Sequence, residues 1–249
     1  MFIHNRELSR LERKVLGLVA RVPPGARVLE LAPGSGALAA AVAGLGHRVE
    51  ALDIHPELFG QAGGVSCRYG NLDEPLPFGD NTFDLALCCE GIEHLEFQYG
   101  FARELARVLR PGGSLVLTTP NIVNTASRLR FLLTGFYALA VRPSSEFRRD
   151  RTIEHIYPLT FWQLRHILHT AGLLIEKVYT DHIRRSALML AWLWPLSYLF
   201  TRHAMHRESE PRQLRANLEI LGQLHSAALF FGRTQIILAR KGASTYLDD

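Results

Sequence analysis

The apolar residues of this chain change their period along its length, and the changes mark its elements. Leu8, Leu11, Val15, Leu16 and Val19 recur at helical spacing and predict an amphipathic helix over Asn5–Ala20, ended by Pro23-Pro24-Gly25. Short apolar runs then alternate with helical patterns. Strands are expected at Arg27–Ala32, Arg48–Asp53, Val65–Tyr69, Phe83–Cys89, Ser114–Thr119, Leu173–Tyr179 and Thr234–Ala239. Helices are expected at Ser35–Leu45, Phe97–Leu109 and Thr160–Ala171, with Pro111-Gly112-Gly113 as a turn. Phe83–Cys89 is apolar at nearly every position, as in a strand buried on both faces. Alternation of this kind predicts an α/β fold, a parallel sheet with helices on both sides.

Two stretches break the alternation, 120–158 and 182–231. Both are expected to cap the carboxyl edge of the sheet, where ligands bind in such folds. The 249 residues then divide into an N-terminal helix (1–24), core (25–119), a first cap (120–158), further core (159–181), a more apolar cap (182–231) and a last strand with its tail (232–249), all within one domain. A composition of 47% hydrophobic and 21% charged residues excludes disordered and collagen-like chains. The 3 cysteines are too few for a disulfide framework and lack zinc spacing, so buried, reduced thiols in a cytoplasmic protein are expected. The polar N-terminus lacks the apolar core of a secretory signal. Ala187–Phe200 is the longest apolar stretch, and it falls short of the roughly 20 residues that span a bilayer.

The first candidate site follows the first strand, in Glu30-Leu31-Ala32-Pro33-Gly34-Ser35-Gly36. Glycines between a strand and a helix let the backbone turn tightly and approach a ligand. Asp53 ends the next strand, where a carboxylate accepts hydrogen bonds from both hydroxyls of a ribose. These features serve a nicotinamide cofactor and S-adenosylmethionine equally. The rest of the pattern separates them: Glu30 before the glycines, Asn71-Leu72-Asp73 after the third strand, and Pro111-Gly112-Gly113 before a strand ending Thr118-Thr119-Pro120-Asn121. As a set, these motifs resemble the class I S-adenosylmethionine-dependent methyltransferases over roughly residues 25–180, with the final strand near 232–241.

That resemblance implies a Rossmann-like sheet of seven strands, mostly parallel, with the last antiparallel. It implies that Glu30, Gly34, Ser35 and Gly36 face the methionine part of the cofactor. Asp53 would hold the ribose with Ile54 near the adenine, and Leu72 and Asp73 would meet the adenine ring beside Asn71. Glu90 would open the acceptor side. Ala32 stands where the family usually has glycine.

Glu90, Glu93 and His94 fall on one face if their segment turns helically. The E-x-x-E-H string resembles those of ubiquinone-biosynthesis O-methyltransferases and small-RNA 2′-O-methyltransferases. In the latter it holds a divalent metal together with a later histidine, here His155. Three readings stay open: His94 or His155 as general base with Glu93 beside it; Glu90, Glu93, His94 and His155 around Mg²⁺, Mn²⁺ or Zn²⁺; or polar residues that order the cap.

Charge is uneven. Residues 1–120 hold 11 Lys and Arg against 14 Asp and Glu, and residues 121–249 hold 17 against 10. The basic second half, including Arg148, Arg149 and Arg151, suits an acidic partner. Trp192, Trp194, Tyr198 and Phe200 lie between Arg184-Arg185 and Arg202, a pattern that fits a membrane interface, a buried cap helix or a dimer contact. The expected activity is O-methylation of a sugar, quinone-like or lipid-linked small molecule by a protein that is cytoplasmic or peripheral on the inner membrane face. The rivals are an RNA 2′-O-methyltransferase, disfavoured because no RNA-binding module is recognisable, and a non-catalytic cofactor-binding subunit. A nicotinamide-dependent oxidoreductase is a third. The intact Glu30, Gly34, Gly36 and Asp53 argue against lost cofactor binding.

Overall fold

The computed structural model describes residues 7–60, 63–137 and 157–242. Its strands are β1 (Arg27–Leu31), β2 (Arg48–Asp53), β3 (Cys67–Tyr69), β4 (Phe83–Cys89), β5 (Leu109–Pro120), β6 (Leu173–Tyr179) and β7 (Thr234–Lys241). They form one seven-stranded sheet in the order β3-β2-β1-β4-β5-β7-β6. All pairs are parallel except those of β7, which runs antiparallel to both β5 and β6. This is the Rossmann-like arrangement expected.

Side-chain alternation along the strands divides the core in two. Val28, Leu85, Leu87, Val116 and Ile236 pack beneath α1 (Arg10–Val19) and α2 (Ala37–Gly44). Leu29, Leu31, Ala86, Leu115 and Leu117 pack on the other face, against α3 (Gln98–Val108) and α5 (Phe161–Thr170). The helix α1 begins five residues later than its periodicity suggests. Ser9 accepts a bond from the Glu12 amide while Glu12 accepts one from the Ser9 amide at 2.6 Å, and this reciprocal cap fixes the start. The Pro111-Gly112-Gly113 segment is a bulge rather than a separate turn. Phe83 pairs with Leu109 and Leu85 with Ser114, so Arg110–Gly113 loop out opposite Asp84. Among the described residues between β2 and β3 there is only a short 3-10 turn, Pro56–Leu58. All three cysteines are free; Cys88 is buried, but Cys67 and Cys89 are only half-buried, short of the full burial expected.

The first interruption leaves the sheet at the carboxyl end of β5, and the second leaves β6 and enters β7 at the same edge. After β5 comes α4 (Thr125–Thr134), capped by the Asn124 side chain on the Ser127 amide. After β6 come α6 (Arg185–Leu188), α7 (Trp194–Met205), α8 (Pro211–Leu224) and α9 (Ala227–Phe231). Pro195 stands in the first turn of α7 and keeps the apolar stretch from forming one long helix. Among the described residues, no helix is long and apolar enough to cross a membrane.

A buried asparagine ties the second insert to the sheet. The Asn121 side chain donates to the carbonyls of Leu229 (2.8 Å) and Gly232 (2.9 Å), and its own amide donates to Arg233. Thr125 adds bonds to the carbonyls of Ala187 and Phe230. Replacing Asn121 with alanine strands two buried acceptors and is expected to cost about 2–4 kcal/mol in chemical denaturation. Asn121→Asp, which turns a carboxylate toward two carbonyls, is expected to cost more than Asn121→Ala.

Candidate active site

The bend from β1 into α2 requires left-handed backbone at Ala32 (φ 55°), Gly34 (55°) and Gly36 (78°). Only glycine adopts this without strain, so Ala32 stores on the order of 1 kcal/mol. At Gly36 a side chain is excluded on two counts. Besides the positive φ, a Cβ would lie 2.5 Å from the ring of Phe59. Phe59 follows the short turn after β2, and that loop is fastened over the bend by the Gly60 amide on the Ser35 carbonyl at 3.2 Å.

Asp53 joins the same assembly. Its carboxylate accepts from the Gly34 amide (3.2 Å) and the His55 amide (2.9 Å), so the tip of β2 and the glycine bend are one unit. Ile54 beside it is exposed. Glu30, at the end of β1, is only 2% exposed, and its Oε2 has no hydrogen-bond partner. Burial pushes its pKa up to about 8, and the charge of Glu12 adds to the rise. A buried carboxyl oxygen left without a partner is costly unless a ligand completes it. The orphaned oxygen, the side-chain-free Gly36 and the Asp53 carboxylate fit a cationic amino acid joined to a nucleoside.

Leu72 is buried in the core beside the third strand. Asp73 accepts from the amides of Phe97 (2.8 Å) and Glu96 (3.3 Å), while Asn71 accepts from the Asp73 amide. Asp73 therefore also ties the loop after β3 to the start of α3, a structural task that its motif did not reveal.

At the end of β4, Glu90 has φ 52°, a strained value for a non-glycine residue. Its amide is held by the carbonyl and hydroxyl of Thr118. Glu90 is exposed as a residue, yet partial loss of water around its carboxyl raises its pKa. Arg233 opposes the rise, and Asp181 and Glu12 add to it. Ile92–His94 form a 3-10 turn that holds Glu93 and His94, while Glu90 precedes it with left-handed backbone and does not share its face. Glu93 is fully buried, and burial pushes its pKa up to about 8, against a bond from Thr119. His94 is half-buried. His155 lies outside the described residues, as does the Arg148–Arg151 cluster. Among the described residues, no three His, Cys, Asp or Glu side chains converge to hold a metal ion.

The structure adds residues that the sequence motifs did not flag. Asp181 is buried just after β6, with its Oδ2 2.7 Å from Nδ1 of His182 and 3.7 Å from Nη1 of Arg233. Arg233 and Asp181 act electrostatically on Glu90, and the chain pairs at the sheet's edge to bring them together: the Asn121 amide bonds to Arg233 and the Arg233 amide to His182. An Asp-His dipeptide and a lone arginine 51 residues later carry no signal without that pairing.

The sheet order, the glycine bend and the aspartate at the tip of β2 define a Rossmann-like domain for a nucleoside cofactor. A methyltransferase-domain profile matches residues 29–117. The ubiquinone biosynthesis O-methyltransferase of Xanthomonas campestris is 36% identical over 142 residues, 53% of this chain and 59% of that one. The demethylmenaquinone methyltransferase of Tropheryma whipplei is 32% identical over 146 residues, 57% of each. The chain thus spans under two thirds of the length of these relatives. Among solved structures, an S-adenosylmethionine-dependent methyltransferase from Archaeoglobus fulgidus superposes with a TM-score of 0.59 at 17% identity, over 94% of this chain and 95% of that one. The 4+2 cyclase SpnF shares the fold at a TM-score of 0.55 and 20% identity, over 93% and 82%, so the fold by itself leaves the chemistry open. The domain match over residues 29–117 and the shared fold support the class I S-adenosylmethionine-dependent methyltransferase superfamily.

The state of Glu30 makes a prediction. A folded pKa near 8 against an unfolded value near 4.5 means that the folded form holds an extra proton between them. Its contribution to stability is therefore full below about pH 4.5 and declines as pH rises to about 8, with Glu93 adding a second decline of the same sign. Glu30→Gln is expected to raise the Tm at pH 9 and flatten part of this slope. The ammonium group of an amino-acid ligand favours the carboxylate, so adenosylhomocysteine binding at pH 7 is expected to release a proton from wild type and not from Glu30→Gln. Calorimetry in buffers of differing ionisation enthalpy measures that release.

Proposed function

We propose that this protein transfers the methyl group of S-adenosylmethionine to a hydroxyl of a quinone-like small molecule bearing an apolar tail. The observation that carries the cofactor half is Glu30, a buried carboxyl with an unpartnered oxygen at the end of β1, beside a bend tied to Asp53. Bound there, the cofactor supplies an electrophilic methyl group on a sulfonium. Glu30 would hold its amino group, Gly34–Gly36 would admit its backbone, and Asp53 would exchange amide partners for ribose hydroxyls. The quinone-like acceptor is supported by the names of the two relatives, and its apolar tail by the inserts.

Those inserts present an unusual surface. Leu132 (79% exposed) and Leu133 on α4, together with Met189 (81%), Trp192 (69%), Leu199 and Phe200 around α7, turn large apolar side chains outward. Between α4 and α7 runs a groove of about 270 Å³ lined by Leu129, Leu132, Leu193, Leu196, Phe200 and Phe230. The inner aromatics are differently employed: Trp194 stacks on Tyr198 and donates to the His225 carbonyl at 2.9 Å. From 182 to 207 the chain carries four arginines and no Asp or Glu. Apolar side chains ringed by cations match an anionic leaflet, from which a lipid-borne acceptor would enter the groove.

Calorimetry is expected to show binding of adenosylhomocysteine and none of NADH; the reverse would end the methyltransferase reading. Labelled S-adenosylmethionine is expected to methylate a catechol carrying one prenyl unit faster than catechol itself. In cosedimentation, vesicles containing phosphatidylglycerol are expected to retain the protein and phosphatidylcholine vesicles to retain far less. Trp192→Ser with Phe200→Ser is expected to abolish retention. Equal recovery in the supernatant with both vesicle types at low salt would remove the membrane part.

A further inference from the structure

We propose that His182, oriented by Asp181, is the base that takes the proton from the acceptor hydroxyl. The proposal rests on the methyl-transfer reading and adds to it a residue from the far end of the chain.

The geometry is that of a built pair. The Asp181 side chain has no exposed surface, and its Oδ2 lies 2.7 Å from Nδ1 of His182. An ionised carboxylate only accepts, so Nδ1 carries the ring's proton and Nε2 its lone pair. Burial pushes the Asp181 carboxyl up, but bonds from His182 and Thr234 outweigh it and leave the group below the usual carboxylate range. His182 keeps a third of its side chain exposed, at 33%. The pair therefore has a sealed end that fixes the tautomer and an open end that faces solvent.

Its position is set by backbone pairing rather than by a loose loop. The Arg233 amide donates to the His182 carbonyl at 3.0 Å, the Asn121 amide donates to Arg233 at 2.9 Å, and Ile183 pairs with Gly232. The pair thus continues the carboxyl edge of β5, β7 and β6. At Gly232 any Cβ would run into the Ala228 carbonyl and the Thr180 side chain, so this close approach depends on glycine. The charged groups that face the pair are Arg233 from the start of β7, Arg184 from its own segment and Glu90 from the end of β4. The two arginines offset the carboxylates of Asp181 and Glu90.

In the step, the acceptor O–H bond breaks and its proton goes to Nε2 of His182. The acceptor oxygen forms its bond to the methyl carbon as the carbon–sulfur bond breaks, and that electron pair stays on the neutral sulfur. The imidazolium, stabilised by Asp181, then loses its proton to water.

The first test needs no variant. Nitrogen-15 NMR of the histidine rings is expected to place the neutral ring's proton of His182 on Nδ1. Adding adenosylhomocysteine with the singly prenylated catechol is expected to shift its Nε2. His182→Gln is expected to lower methylation of that catechol by roughly 10²–10⁴, to keep adenosylhomocysteine binding within about twofold, and to remove the acid limb of the kcat profile. Asp181→Asn, which leaves the imidazolium without its anion, is expected to move that limb to lower pH. A neutral ring protonated on Nε2, an Nε2 indifferent to both ligands, or a His182→Gln protein with wild-type turnover and acid limb overturns the proposal. Wild-type protein that fails to bind adenosylhomocysteine overturns the methyl-transfer reading itself. Intact binding with any of the former results sinks only the role of the pair.

Discussion

The site depends on a backbone turned left-handed at three positions within five residues, Ala32, Gly34 and Gly36. That conformation carries the chain from β1 into α2 while keeping side chains out of the space between them. Once it is imposed, the neighbours have few choices. Phe59 can lie against Gly36 only because no Cβ is there, and the Gly34 amide points at Asp53 only because the bend presents it. Glu90 repeats the left-handed turn at the end of the adjacent β4, and Gly91 brings a Cα so near that a Cβ would lie 3.3 Å from that of Ala32. Two neighbouring strands thus end in strained backbone facing one another, which is where a sheet of this kind opens for a ligand.

The second constraint is the antiparallel β7. Because it enters the sheet at the carboxyl edge, the second insert starts and finishes at that edge. Asn121 secures this by spending both side-chain N–H groups on the second insert. The aromatic cluster of Trp194, Tyr198, His225 and Phe230 then gives that insert an interior of its own, with Arg128 over the Phe230 ring at 5.5 Å. What remains outside is apolar and basic.

The sheet was legible in the sequence because each strand is a short apolar run between turn residues, and such runs barely depend on context. The glycine bend and Asp53 were legible for a similar reason: they are local, and their backbone demands leave few residue types. The start of α1 was misjudged because periodicity continues upstream of Ser9, whereas the Ser9–Glu12 cap decides the boundary. Glu93 and His94 do share one turn, but Glu90 falls outside it on left-handed backbone, and the burial that raises the Glu93 pKa comes from strands distant in sequence. Asp181, His182 and Arg233 were illegible for the same reason carried further, since hydrogen bonds between three sheet-edge segments create their proximity.

The distribution of charge separates two tasks that composition merges. Glu30, Glu93, Glu90 and Asp181 put four carboxyls at the carboxyl edge, three of them raised by lost water, while the arginines of the second insert surround its apolar outer face. The unpartnered Glu30 carboxyl at the end of β1 suits the ammonium group of an amino-acid cofactor. The basic, apolar exterior is the basis of the membrane contact proposed above. The acceptor proposed above, a hydroxylated ring on an apolar tail, would be uncharged where it reacts and apolar where it is held.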